Sequence, residues 1–354
     1  IFSLTSPPNI REFKINVIDH SSRLFISEIV IKRENFLINE LNFRGPDLIW
    51  ESITVKNSEK KFSNDVTRPS QKLSWSLYPY LDTMLFDPHA PIRFTVGGEL
   101  NGVYNFSPTV SITASLRQPI AGTMDDVKRG PKGGLPNVRS DFMYYHRDIA
   151  SNLYINYLTL NHFLKPLPNL YATINVGILE LMHAGIRSEV IWKKNKNPYG
   201  LGLDFAQVQK RGTKADFQLK DEFYNTFLAS VYYDMPNDWV IKVDAGKYLA
   251  GDYGSTISIK RTFNNGWEFG AYATLTDVPF STYGEGSFDK GLTIKAPITW
   301  FTGKKSRSVL KSVLRPITGD GGAKLNLSTE KYLYDLVSEY DEKSISDNWK
   351  RVYR

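Results

Sequence analysis

Two carboxylates four residues apart, Glu285 and Asp289 in "TYGEGSFDKG", are the pair in this 354-residue chain most like an acid/base couple. Such a pair can cleave a glycoside, one group protonating the leaving oxygen while the other activates water or attacks. The same stretch carries Gly284, Gly286 and Gly291, which suit a tight loop whose Glu285, Asp289 and Lys290 pair with one another or with neighbouring loops. Spacing within a loop fixes no distance, and no aromatic sugar platform can be pointed to. The loop reading therefore comes first, contact with a ligand second, and no catalytic residue is assigned. Asp252 in "LAGDYG" poses a similar choice. Calcium takes about six to eight oxygen ligands, and no spaced run of carboxylates surrounds Asp252, so a turn-capping role is expected. "VKRGPKGG" is basic and glycine-rich; its Lys128 and Arg129 could touch an acidic glycan or a lipid phosphate, with a solvated loop as the default.

The remaining chemistry is sparse. His20, His89, His146, His162 and His183 are scattered, without metal-ligand spacing and without a cysteine partner. No G-x-S-x-G elbow occurs, and the glycines of "VGGELNG" lie in a strand pattern, not ahead of a helix. No metal, cofactor or enzymatic activity is expected. The net charge of +7 is spread along the chain without a groove-reading motif, so nucleic acid is not an expected partner.

The elements that would position these residues are mostly strands. From about residue 72 to 316 the chain alternates. Val110, Ile112, Ala114 and Leu116 share one face of "TVSITASLR", and Ser111, Thr113, Ser115 and Arg117 the other. "WEFGAYATL" and "LTIKAPITW" repeat the pattern. Short connections at 105–109, 165–169, 194–198, 234–238 and 263–267 mostly alternate with longer ones at 118–150, 209–222, 248–254 and 277–290. The count is about twelve strands of roughly nine to thirteen residues, long enough to cross a hydrocarbon layer at a tilt. A soluble sandwich also has one apolar and one polar face. Here the polar face is rich in Ser, Thr, Gly and Tyr, and aromatics cluster at strand ends: Tyr232, Tyr233 and Trp239; Phe263 and Trp267; Trp300 and Phe301. Both features favour a barrel with its apolar face toward lipid.

The expected fold class is all-β: an antiparallel transmembrane β-barrel over 71–326, preceded by a small α/β unit at 1–70 and followed by a C-terminal amphipathic helix at 327–354. In the first unit "REFKINVID" and "RLFISEIVIKR" read as paired strands, "RENFLINELN" as a short helix, and "PDLIWESITVKN" as helix or strand. In the tail, Tyr332, Leu333, Leu336, Val337 and Tyr340 fall on one helical face, with Ser328 or Thr329 as the cap. No run of about 18 apolar residues exists, so no spanning helix is expected. The absence of cysteine fits the cell envelope. Ile1 with no leader after it leads us to expect a longer precursor or a removed signal.

At 246–291 the sequence becomes specific. "GKYLAGDYG" followed by "NGWEFGAYATLTDVPFSTYGEGSFDKG" resembles the YjbH family of exopolysaccharide-biosynthesis outer-membrane proteins, related to those of group 4 capsule loci. "NVGILELMHAGIRSEVIWKKNKNPYGLGLDFAQVQKR", "LRPITGDGGAKLN" and the closing "DNWKRVYR" resemble it too. The resemblance implies a Gram-negative outer-membrane location, with the N-terminal unit and C-terminal helix periplasmic. It also implies a non-enzymatic role in exopolysaccharide or capsule secretion, with membrane lipid, the polysaccharide and other secretion proteins as partners. A passive structural pore, or a soluble periplasmic glycan-binding β protein, are the alternatives.

Overall fold

The computed structural model describes residues 6–19, 22, 24–39, 41–60, 72–87, 89–128, 130–131, 134–283, 288–303, 309–315, 319–327 and 333–349. The N-terminal unit is a three-stranded antiparallel sheet of β1 (Glu12–Ile18), β2 (Phe25–Lys32) and β3 (Thr54–Asn57), in that order. Helices α1 (Arg33–Asn39) and α2 (Gly45–Ser52) lie between β2 and β3. The ambiguous "PDLIWESITVKN" is thus both things in turn. Pro46 near the helix start suits a first turn that needs no N–H, and β-branched Thr54 and Val55 carry the strand.

The next thirteen strands, β4 (Leu73–Asp87) to β16 (Val309–Leu314), form one antiparallel meander in which every strand pairs with its chain neighbours. Thirteen replaces the expected twelve. The sheet curls until β16 approaches β4, but no hydrogen-bonded ladder joins these two among the described residues. The result is a nearly closed barrel, with helix α3 (Phe142–Ile149) in one of its long connections.

The polar face is inside. Ser115 is fully buried, as is Thr159, whereas Ile257 is 56% and Phe269 44% exposed on the outside. Leu77, Leu203, Phe227, Leu275 and Leu292 continue this outer apolar surface. Alternation explains both faces at once, since neighbours on a strand point oppositely. No helix among the described residues is long and apolar enough to cross a membrane. At the short-turn rim Tyr199 stacks on Tyr233, and Trp267 packs against Phe269 and Trp300. Tyr232 does not join that rim as expected. One residue from Tyr233, it points inward and is 5% exposed.

Part of the lumen is taken up by the protein itself. An odd number of strands leaves the chain, after β16, at the long-connection end, opposite to where β4 began. The chain returns through the barrel. Residues 319–327 run along the inner wall, and α4 (Leu333–Ser338) and α5 (Glu342–Trp349) lie at the short-turn end. The expected single C-terminal helix is therefore two, broken at 339–341, where Asp341 accepts the Ser344 N–H at 2.9 Å and caps α5. The residues proposed to cap the first helix lie outside the described residues.

Leu333, Tyr334, Leu336 and Val337 pack with Leu24 and Ile26 of the N-terminal unit and with Phe163, Tyr171, Ile191 and Tyr232 of the barrel. Burial of such side chains stabilises by roughly 1.5–3 kcal/mol each. Polar contacts complete the junction. Lys165 donates to the carbonyls of Phe25 and Ser58, Asn195 to Ser27, and Ser27 to the carbonyl of Tyr340. Ile345 and Trp349 pack on Ile29, Ile31 and Val55, with Trp349 against Trp50 at 5.6 Å. N-terminal unit, C-terminal helices and short turns are one packed body.

Candidate functional site

The inner wall made by β12 (Trp239–Lys247), β13 (Tyr253–Thr262), β14 (Glu268–Thr276), β15 (Asp289–Pro297) and β16 stands away from the returning chain. Between them lies a cavity of about 460 Å3. A second of about 620 Å3 toward the short turns shares Lys260, Glu268, Lys295, Tyr334 and Asp335 with it. Alternation points Lys260 and Lys295 inward beside Thr256, Ser258 and Thr293, because their odd- or even-numbered neighbours Ile257, Ile259 and Leu292 take the outer face. Lys295 and Lys311 are direct partners across the β15–β16 ladder, and Glu268 is the partner of Lys295 on β14.

The returning chain is held by charge at three levels. Asp335 meets Lys260 at 2.5 Å, and Lys260 lies 3.6 Å from Glu268. Desolvation inside the lumen alone would raise the Asp335 carboxyl; Lys260, with Lys295 and Lys311, outweighs it and holds the group below its usual range. Midway, Lys324 reaches Asp244, which also takes Lys242 and Ser230. At the long-connection end Asp320 accepts from the Arg139 and Ser140 N–H groups and from the Ser140 hydroxyl.

Glu180 anchors that end. It takes Arg139 at 2.7 Å, His183 Nδ1 at 2.5 Å and the Asn326 N–H at 2.9 Å. Burial would push its carboxyl up, but Arg139 and His183 outweigh it and leave it at about 2. Beside it the fully buried Arg211 guanidinium donates to the carbonyls of Ile155, Glu180, Leu181, Ala215 and Asp216. These groups tie together the loops of that end.

Of the described residues singled out by sequence, Asp252 and Asp289 both flank Gly322 of the returning chain, and the others do not join them. Asp252, 5% exposed, accepts the Gly322 N–H at 2.7 Å, and its carbonyl accepts the Tyr248 N–H at 2.8 Å. It clasps its turn to the returning chain, and burial pushes its carboxyl up. Asp289 faces the lumen beside the Tyr272 hydroxyl, at 3.4 Å. Lys290, next in the strand, points the other way and lies 4.4 Å over the Phe288 ring. Lys128 is exposed at the long-connection end. Glu285 and Arg129 lie outside the described residues. Among the described residues no group of three or more His, Cys, Asp or Glu side chains is placed to hold a metal ion. The convergence of Lys260, Lys295 and Lys311 was missed. Strand parity put Lys295 on the polar face, but only the register shows which lysines meet, and only the returning chain supplies Asp335.

The family described as exopolysaccharide biosynthesis protein YbjH (YjbH) matches residues 1–339. The chain belongs to the YjbH family. It is 32% identical over 281 residues to a protein described as uncharacterized lipoprotein YjbH of Escherichia coli (strain K12). That match covers 73% of this chain and 40% of the relative, so this chain corresponds to less than half of that YjbH protein. The resemblance read from 246–291 is thereby borne out, and with it the link to exopolysaccharide biosynthesis.

One titration bears on the short-turn end of this YjbH chain. Burial pushes the Asp341 carboxyl up to about 6, against the opposing Ser344 hydrogen bond. A folded pKa above the unfolded value means the folded state holds the extra proton. Stability therefore falls as pH rises from about 4 through about 6. Asp341→Asn keeps a cap without the charge. Asparagine is expected to stabilise the docked helices by about 1 kcal/mol at pH 7.5, the gain vanishing near pH 4. Hydrogen exchange of residues 333–349 at the two pH values measures this.

Proposed function

We propose that this chain is an outer-membrane β-barrel that takes part in exopolysaccharide or capsule biosynthesis or secretion without catalysing a reaction itself. The observation that carries the reading is the inversion of the usual protein pattern: buried Ser, Thr, Asn and ion pairs inside, and a continuous apolar surface outside on all sides of the sheet. In hydrocarbon, unpaired backbone groups cost several kcal/mol, so a curled antiparallel sheet with a polar interior suits a lipid surround. Short turns in such barrels face the periplasm. The N-terminal unit and the C-terminal helices share that end, and a periplasmic position would put them within reach of other secretion proteins. The polysaccharide is the ligand proposed for the lumen. The returning chain occupies much of that space, which favours a regulated or binding lumen over a passive open pore.

The lack of cysteine makes a direct test simple. A nitroxide attached to a single cysteine at Ile257 is expected to be relaxed by oxygen dissolved in lipid. One at Ser258, next along β13, is expected to respond to a water-soluble nickel reagent. Reversed accessibilities, or extraction from membranes by alkali without detergent, would remove the membrane reading. Normal surface polysaccharide after deletion of the gene would remove the polysaccharide role.

A further inference from the structure

The charge of the lumen cavity extends the exopolysaccharide reading, on which this inference rests, to the chemistry of the ligand. Seven cationic side chains line the cavity against four carboxylates. The excess is concentrated on one wall. Lys295 and Lys311 stand directly opposite each other on neighbouring strands, and like charges so placed repel. Lys260 joins them on the same inner face, and Asp335 from α4 feels all three. The wall thus holds a carboxylate from the protein's own tail where an outside carboxylate would bind. On the same inner wall are neutral groups that sugar hydroxyls pair with, Ser258 and Thr293, with the Tyr272 ring beside Ser258 on the next strand. The cavity of about 460 Å3 is of a size to take a short saccharide segment.

We propose that this cavity binds an acidic saccharide, its carboxylate seated among Lys260, Lys295 and Lys311 in place of Asp335. The lysines neutralise the acid, the hydroxyl-bearing strand residues follow the sugar, and α4 competes for the same positive charge. The competition makes two opposite substitutions informative. Removing lysines weakens the ligand; removing the Asp335 charge strengthens it.

The test is calorimetric titration of the detergent-solubilised protein with trigalacturonate, maltotriose and inorganic phosphate. Trigalacturonate is expected to bind, with maltotriose and phosphate at least about tenfold weaker, since a hydrogen bond to a charged group supports about that discrimination. Lys295→Gln with Lys311→Gln is expected to weaken trigalacturonate by about tenfold or more, and Asp335→Asn to tighten it several-fold. The gain in Asp335→Asn cannot come from misfolding. Equal binding of maltotriose overturns the charge assignment, and phosphate binding as tightly as trigalacturonate overturns the saccharide. Unchanged affinity in both variants overturns the site. A gene deletion that abolishes surface polysaccharide while trigalacturonate fails to bind removes this inference alone. Normal polysaccharide with trigalacturonate still bound removes the biosynthetic role alone.

Discussion

Tyr334→Ala is expected to cost about 4 kcal/mol and to release the C-terminal helices from the barrel mouth. The Tyr334 ring is 1% exposed and stacks on Tyr232 at 3.8 Å, with planes 6° apart. Its hydroxyl donates to Asp234 at 2.5 Å. Gly200 makes room for the ring: a Cβ there would lie 2.6 Å from Tyr334 Cε2. Truncation to alanine loses the stack, leaves a cavity and removes one hydrogen bond to the Asp234 carboxylate, which keeps its ion pair with Lys193. Because Leu24 and Ile26 pack on the same cluster, the N-terminal sheet is expected to loosen with the tail. Hydrogen exchange should rise together over 333–349 and 24–31 while the barrel strands stay protected. Tyr334→Phe keeps the stack and is expected to cost only about 1–2 kcal/mol. Unchanged protection in the alanine variant would show that the tail does not depend on this ring.

Glu180→Ala is expected to be comparably damaging at the opposite end, about 3–5 kcal/mol, because it leaves the buried Arg139 charge without its carboxylate. It also removes the acceptor that fixes Asn326 and thereby the entry of the returning chain. The folded-state value of about 2 lies below the ordinary 4.5, so the contribution is fully present above about pH 4.5 and is lost as pH falls toward 2. Its size is about 3 kcal/mol. Pepsin, active across this range, should leave residues 319–327 uncut at pH 4.5 and cleave them near pH 2. The Glu180→Ala chain should be cut at both. Equal cutting of the unaltered protein at both pH values would show that Glu180 is not the clasp.

The barrel was legible because its physics is local. Each strand announces its faces within a few residues, and the turns expected at 105–109, 165–169, 194–198, 234–238 and 263–267 each contain the junction of two consecutive strands, although the second begins three residues inside its strand. The paired strands and short helix of the first unit were legible for the same reason. The lumen was not. Residues 319–327, "GDGGAKLNL", show no period, and Gly322, Lys324 and Asn326 are held by partners far away in sequence, Asp252, Asp244 and Glu180. Tyr334 escaped notice because it lies off the apolar stripe of Leu333, Leu336 and Val337. Its value comes from Tyr232, which the sequence placed at a membrane rim and the strand's parity turns inward. Asp252 looked like a turn residue and is one, but the chain it clasps, at Gly322, lies 70 positions on.

The odd strand count dictates an order of assembly. A tail that must pass down the middle of a cylinder cannot be fed in afterwards, since its bulky aromatic end would have to squeeze between Lys193, Tyr232 and the inner walls. The wall has to wrap around it. The gap between β4 and β16, which carries no shared ladder among the described residues, is where wrapping ends, so the first and last strands are expected to meet only after the tail is in place. Closure and filling are then a single event.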